Sequence, residues 1–236
     1  MRIENRVYST PPSAGPFRKL HLEVALRSDG LAVLHGVAFP WVTVDLPILA
    51  FDLVAMMGGG RGGVRQAGGA AAQTTTPAPA PLSLAPVSLA IIDPCPVSDD
   101  RSLPPSYAAA VAALQAAMPG GATSNRATPD WGSAIFSDAC VLARPGADAG
   151  AAAAFGAYAA ALNALHLEYA AGLLVTGKGG NAPSASIQAA HGRWADHQLR
   201  NDRTRRVLVV AFGEEWADRY MRSVMFDVER AGVEAA

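Results

Sequence analysis

The order of two periodicities constrains this chain most. Strand-like segments are exhausted by Ile92, and helix-like segments begin only at Pro105. A parallel sheet needs β and α units in alternation, so this order predicts an α+β domain with an antiparallel sheet covered by helices. The expected strands are Ile3 to Ser9, Phe17 to Leu26, Leu31 to Phe39, Ile48 to Met56 and Val87 to Ile92. Short turn-rich links such as RSDG, Arg27 to Gly30, favour a meander. Helices are expected from Pro105, near Asp148, near Ser184 and from Thr204 onward, the last interrupted around Gly213.

A chain of 236 residues can build one continuous core, and it reads as a single domain spanning 1–236. GGGRGGVRQAGGAAAQTTTPAPAPLSLAP, at about 58–86, has too little apolar surface to order itself and is expected to be a disordered insert between two strands. Net charge is −1, so the overall balance favours neither nucleic acid nor an anionic membrane as partner. No run approaches the roughly 18 uninterrupted apolar residues that span a bilayer. Cys95 and Cys140 form no metal-binding spacing, and two thiols read as small buried hydrophobes in a reducing compartment.

Two glycine-rich stretches imitate nucleotide sites. GGGRGG, Gly58 to Gly63, follows a strand, but no helix opens after it and no Asp or Glu occurs between Asp52 and Asp93 to hold a ribose. GLLVTGKG, Gly172 to Gly179, places Gly179 where a phosphate loop needs Ser or Thr, and it follows a helix. Neither is a nucleotide site. If the chain does redox chemistry, its electrons come from elsewhere.

Side chains two apart on a strand share a face. In FRKLHLEVAL, Leu20, Leu22, Val24 and Leu26 line one face and Lys19, His21, Glu23 and Ala25 the other, which fits a plain division of core against solvent. The next strand breaks that pattern, because His35 shares its face with Leu31, Val33, Val37 and Phe39. In the following strand Asp52 stands in a row with Ile48, Ala50, Val54 and Met56. A buried polar group without a partner costs about 1–3 kcal/mol, so pairing His35 with Asp52 would satisfy both. Such a pair is either structural or a site that holds a mobile proton. The second HLE, His166 to Glu168, lies in a helix, where i and i+2 diverge; His166, His191 and His197 read as helix-surface or packing residues.

Several long blocks carry a resemblance. IENRVYSTPP, FRKLHLEVA, LAVLHGVAFP, DLPILAFDLV, VSLAIIDPCPVSDDRSLPPSY, WGSAIFSDACVLARP and NDRTRRVLVVAFGEEWADRYMRSVMFDV occur in the order found in the ferredoxin-dependent bilin reductases, which this chain resembles over nearly its whole length. The resemblance implies a three-layer α/β/α sandwich with a bilin held between a central antiparallel sheet and the C-terminal helices. It also implies four-electron reduction of biliverdin IXα to phycocyanobilin through bilin radicals, in a monomer. The implied donor is reduced ferredoxin, a 2Fe-2S protein, with no metal and no tightly bound cofactor. The alternatives are a truncated, non-catalytic bilin-binding protein, or a reductase making a phytochromobilin- or phycoerythrobilin-type product.

By position, the resemblance makes Asp52 the principal proton donor, His35 its partner toward the A-ring, Glu23 the donor to the D-ring vinyl group and His21 a further member of the proton network. Relatives making other phytobilins usually have Asn or Asp where His35 stands. Arg144 and Arg203 would bind propionates, with Val207, Ser88, Val33 and Asn201 lining the bilin pocket. Arg200, Arg203, Arg205 and Arg206 would help dock acidic ferredoxin, or else Arg200, Arg205 and Arg206 belong to a solvated helix face with helix-internal ion pairs. The family's first strand and covering helix precede the position of Met1, so one sheet face and one edge are expected to be uncovered. Gly36 and Ala38 replace bulkier residues and are expected to loosen the strand face opposite His35. The insert and the Ala/Gly/Pro bias suggest an algal nuclear gene and the plastid stroma, with the cytoplasm otherwise, although MRIENRVY shows no transit peptide.

Overall fold

The computed structural model describes residues 1–56, 86–175 and 184–228. The proposed insert at about 58–86, with its GGGRGG, lies outside the described residues up to Pro86, as do Thr176 to Gly179 of GLLVTGKG. Strands β1 (Arg2–Ser9), β2 (Phe17–Leu26), β3 (Leu31–Pro40), β4 (Ile48–Met56), β5 (Val87–Cys95) and β6 (Val141–Ala143) form one sheet in sequential order. All of its neighbours are antiparallel. The meander follows from short connections: Gly30 closes the β2–β3 turn at φ 94°, a backbone region that glycine enters without penalty.

Helices cover both faces. On one, α1 (Pro105–Ala117) and α2 (Ala149–Val175) pack Tyr107, Val111, Phe155, Tyr158 and Leu162 against Ala38, Leu49, Ala90 and Ile92. On the other, α3 (Ala185–Gln198), α4 (Asp202–Phe212), α5 (Glu214–Tyr220) and a π-helical turn at Met221–Met225 enclose Val37, Phe39, Ile48 and Cys95. Ser184 caps α3 by accepting from the Ile187 N–H, and Asn201 caps α4 by accepting from the Arg203 N–H. Gly213, at φ 86°, separates α4 from α5 where the sequence predicts an interruption.

Among the described residues, α2 is the one helix long and apolar enough to cross a membrane. Its Phe155, Tyr158, Leu162 and Ala170 are instead buried in the second core.

The plain reading of β2 is reversed. Lys19, His21, Glu23 and Ala25 are buried, whereas Leu22, Val24 and Leu26 are 38–44% exposed. Their face continues into Leu34 on β3, beyond the reach of α1 and α2, and β1 forms the sheet's edge. The expected looseness at Gly36 is absent as well: a Cβ there would stand 2.2 Å from the Phe51 ring, which occupies the space.

Candidate active site

Strand register assembles the site. Reading across the sheet, Asn5 faces Glu23, Glu23 faces His35, His35 faces Asp52 and Asp52 faces Ile91. One row therefore carries four polar side chains on four successive strands, all on the face covered by α3–α5. The neighbouring row runs His21, Val37, Ala50 and Asp93.

The pairing expected for His35 is present. Its Nδ1 lies 2.7 Å from Asp52 Oδ1, with His35 only 5% exposed and the Asp52 side chain 40% exposed. Burial works against protonating His35, but the charge and hydrogen bond of Asp52, with Glu23 behind, outweigh it and hold the imidazole's pKa above its ordinary value. With Nδ1 turned to the carboxylate, His35 Nε2 has no partner among the described residues.

Glu23 is buried, and that burial pushes its pKa up despite a short hydrogen bond from the Tyr220 hydroxyl. His21 stands behind Glu23 and His35, its ring 5.5 Å from that of His35 and its Nε2 2.9 Å from Asn5 Oδ1. Burial first, then the neighbouring His35 and Lys19, lower its pKa to about 3, so it is neutral at working pH.

A cavity of about 940 Å³ opens over this row. Glu23, His35 and Asp52 lie on its floor, and Val33, Val54, Leu89, Ile91 and Phe226 give it apolar walls. Ser88, Asn201, Val207, Arg144 and Arg203 line it too, so nine of the ten residues named from the sequence converge on one space. His21, the tenth, is off the wall. Arg206 pairs with Asp202 one turn earlier in α4 at 2.6 Å, a helix-internal ion pair, whereas Arg205 pairs with Asp218 of α5 at 2.7 Å.

Residues 82–227 match the sequence profile of the ferredoxin-dependent bilin reductases. The phycocyanobilin:ferredoxin oxidoreductase of a Synechococcus strain is 36% identical over 228 residues, covering 97% of this chain and 77% of the relative. The chain is a ferredoxin-dependent bilin reductase. It is accordingly an oxidoreductase that takes its electrons from ferredoxin. The phycocyanobilin:ferredoxin oxidoreductase of Gloeobacter violaceus is 34% identical over 229 residues, covering 97% of this chain and 75% of that one. The fold matches the crystal structure of tomato phytochromobilin synthase in complex with biliverdin at a TM-score of 0.60 and 16% identity, covering 95% of this chain and 69% of the other.

Sequence reasoning missed several residues of this bilin reductase's site. Arg126 joins Arg144 and Arg203 on the cavity wall; partial burial, then those two guanidinium groups, lower its pKa. Asn125 brings it there, accepting from the Arg144 N–H at 2.7 Å, and no periodicity in ATSNRATPD announces it. Asp93 lines the cavity as a second buried carboxyl, bonded by Ser137 Oγ at 2.6 Å and by the Cys95 thiol, and burial raises its pKa to about 6. The rule that found Asp52 would have found Asp93 had the fifth strand been extended past Ile92. Asn5 and Tyr220 carry no signal of their own, because only the register and the C-terminal helices bring them to Glu23.

Proposed function

We propose that this reductase converts biliverdin IXα to phycocyanobilin, reducing the D-ring vinyl group and then the A-ring with single electrons from the 2Fe-2S cluster of ferredoxin. The observation that carries the reading is the row Glu23–His35–Asp52 on the floor of an apolar cavity. Each electron added to a bilin makes its conjugated system more basic, so four electrons must be matched by four protons delivered to chosen atoms. In this reading Asp52 and His35, 2.7 Å apart on the cavity lining, share a proton beneath the pyrrole nitrogens and lactam oxygens. The Asp52 carboxyl favours the protonated imidazole of His35, so the hydrogen-bonded pair can hold a proton and pass it on.

Glu23, held toward its neutral form by burial, is suited to protonate the D-ring vinyl group. His21, neutral and behind the row, would serve as relay. Arg126, Arg144 and Arg203 give the two propionates bidentate, charge-assisted partners, while the apolar walls keep solvent from the radicals. Val207, Val33, Ser88 and Asn201 would shape the pocket. In this reading the protein works as a monomer and, if its host is algal, in the plastid stroma.

Anaerobic mixing of the protein with biliverdin IXα, ferredoxin and a reductant tests the reading. Absorbance should pass through transient radical bands to a blue-shifted product that chromatographs as phycocyanobilin. A biliverdin spectrum that is bound but unchanged would make this a binding protein, and a phytochromobilin-type product would show that His35 does not set the outcome.

A further inference from the structure

Tyr220 stands at the end of α5 with its hydroxyl between two acceptors. It bonds Glu23 Oε2 through a short hydrogen bond, and Asn5 Oδ1 lies 2.8 Å away. The ring is 6% exposed and stacked on Trp216, with centroids 4.6 Å apart and planes 16° from parallel, so the hydroxyl is held in place. Asn5 Oδ1 also meets His21 Nε2 at 2.9 Å, and Asn5 faces Glu23 directly across the β1–β2 ladder.

A phenol has one hydrogen and cannot donate fully to both acceptors. Two arrangements follow. When Glu23 is ionised, the phenol hydrogen turns to the carboxylate. When Glu23 is protonated, its hydrogen goes to the phenol oxygen and the phenol hydrogen turns to Asn5 Oδ1. Tyr220 can therefore satisfy Glu23 in either state without moving a heavy atom. The phenol is not itself the acid, because burial and then the adjacent Glu23 push its pKa well up.

We propose that Tyr220, seconded by Asn5, is the positioning residue of Glu23: it aims the carboxyl at the cavity and sets how readily that carboxyl releases its proton. This rests on the reading of Glu23 as the D-ring proton donor. The groups facing Glu23 are Lys19 and His21 on its own strand, His35 and Asp52 across the sheet, Asn5 on β1 and Tyr220 above. Of these, Tyr220 is the one bonded to its carboxyl among the described contacts. Its hydrogen bond favours the carboxylate against burial, so removing it makes Glu23 keep its proton more firmly.

The test is Tyr220→Phe, which preserves the ring and its stacking. In the ligand-free protein, the protonated-carboxyl C=O stretch of Glu23, identified by its loss in Glu23→Gln, is titrated by infrared difference spectroscopy. The midpoint should rise by ~1–2 pH units, the equivalent of one hydrogen bond to a charged group. A midpoint that stays or falls overturns the proposal, whatever the fate of biliverdin. In turnover, Tyr220→Phe should slow D-ring reduction about tenfold or more, comparable to the loss of one such bond, and shift its alkaline limb upward. In a Glu23→Gln background, where the D-ring vinyl survives and A-ring chemistry proceeds, it should leave the A-ring rate unchanged. A comparable slowing there would make Tyr220 merely structural and would also overturn the proposal.

Discussion

His35 shows how neighbouring carboxyls can reverse the effect of burial on a side chain. Its pKa is raised above the ordinary 6.5 because Asp52 and Glu23 outweigh desolvation. The stability it contributes is therefore complete below pH 6.5 and fades as pH rises through the folded pKa. His166 is the opposite case: burial lowers its pKa to about 4, with Tyr107 OH 3.0 Å from its Nδ1. Its contribution is present above pH 6.5 and is lost as pH falls. Replacing His166 with Gln should remove about 2 kcal/mol of the stability lost between pH 7 and pH 5. Denaturant melts at the two pH values check this, and parallel losses in both proteins would refute it. At the cavity floor, Glu23→Gln should leave the D-ring vinyl intact while permitting A-ring chemistry, as read by chromatography of the product. Normal reduction of both rings would remove Glu23 from the mechanism. His35 and Asp52 were legible because a lone ionisable residue in an apolar row is costly, and Glu23 was not, because in β2 it belongs to a row of like polarity.

At the scale of elements, β2 and β4 run between the residues that alternation predicts, while β6, Val141–Ala143, is missing from the expected set. Three residues carry no measurable period. The face of β2 was illegible for a different reason. Parity separates Leu22, Val24 and Leu26 from Lys19, His21 and Glu23, but which set faces inward depends on the layer that covers it. Here α3–α5 and the C-terminal segment cover the polar row, where Lys19 Nζ donates to Val224 O at 2.8 Å. Val24→Thr should therefore change stability by less than about 0.5 kcal/mol, as an exposed position would, although the sequence makes it look like core. A loss of about 2 kcal/mol or more in a denaturant melt would show that this face is buried. Gly36→Val, by contrast, drives a side chain into the Phe51 ring and should destabilise by about 1–3 kcal/mol, and unchanged stability would mean the ring can move aside.

The whole molecule explains why function was more legible than its parts. The antiparallel sheet, the helix starts and the two ionisable anomalies follow from periodicity and the cost of burying charge, whereas the three-layer order came with the resemblance. The site itself needs residues from β1 to α5, far apart in sequence, and no local pattern encodes that convergence. Family resemblance supplied Arg144, Arg203, Val207 and Asn201 before the fold did, and it missed Arg126, which reaches the cavity from a turn. In the proposed reaction the sheet's polar row, and not solvent, protonates the reduced bilin. Asp52→Asn tests it most directly, in anaerobic single-turnover spectroscopy with biliverdin IXα and reduced ferredoxin. The variant should bind biliverdin and accept an electron, yet form phycocyanobilin at least ~100-fold more slowly, stalling at a radical or at the starting pigment. Phycocyanobilin formed at the unmodified protein's rate would contradict it.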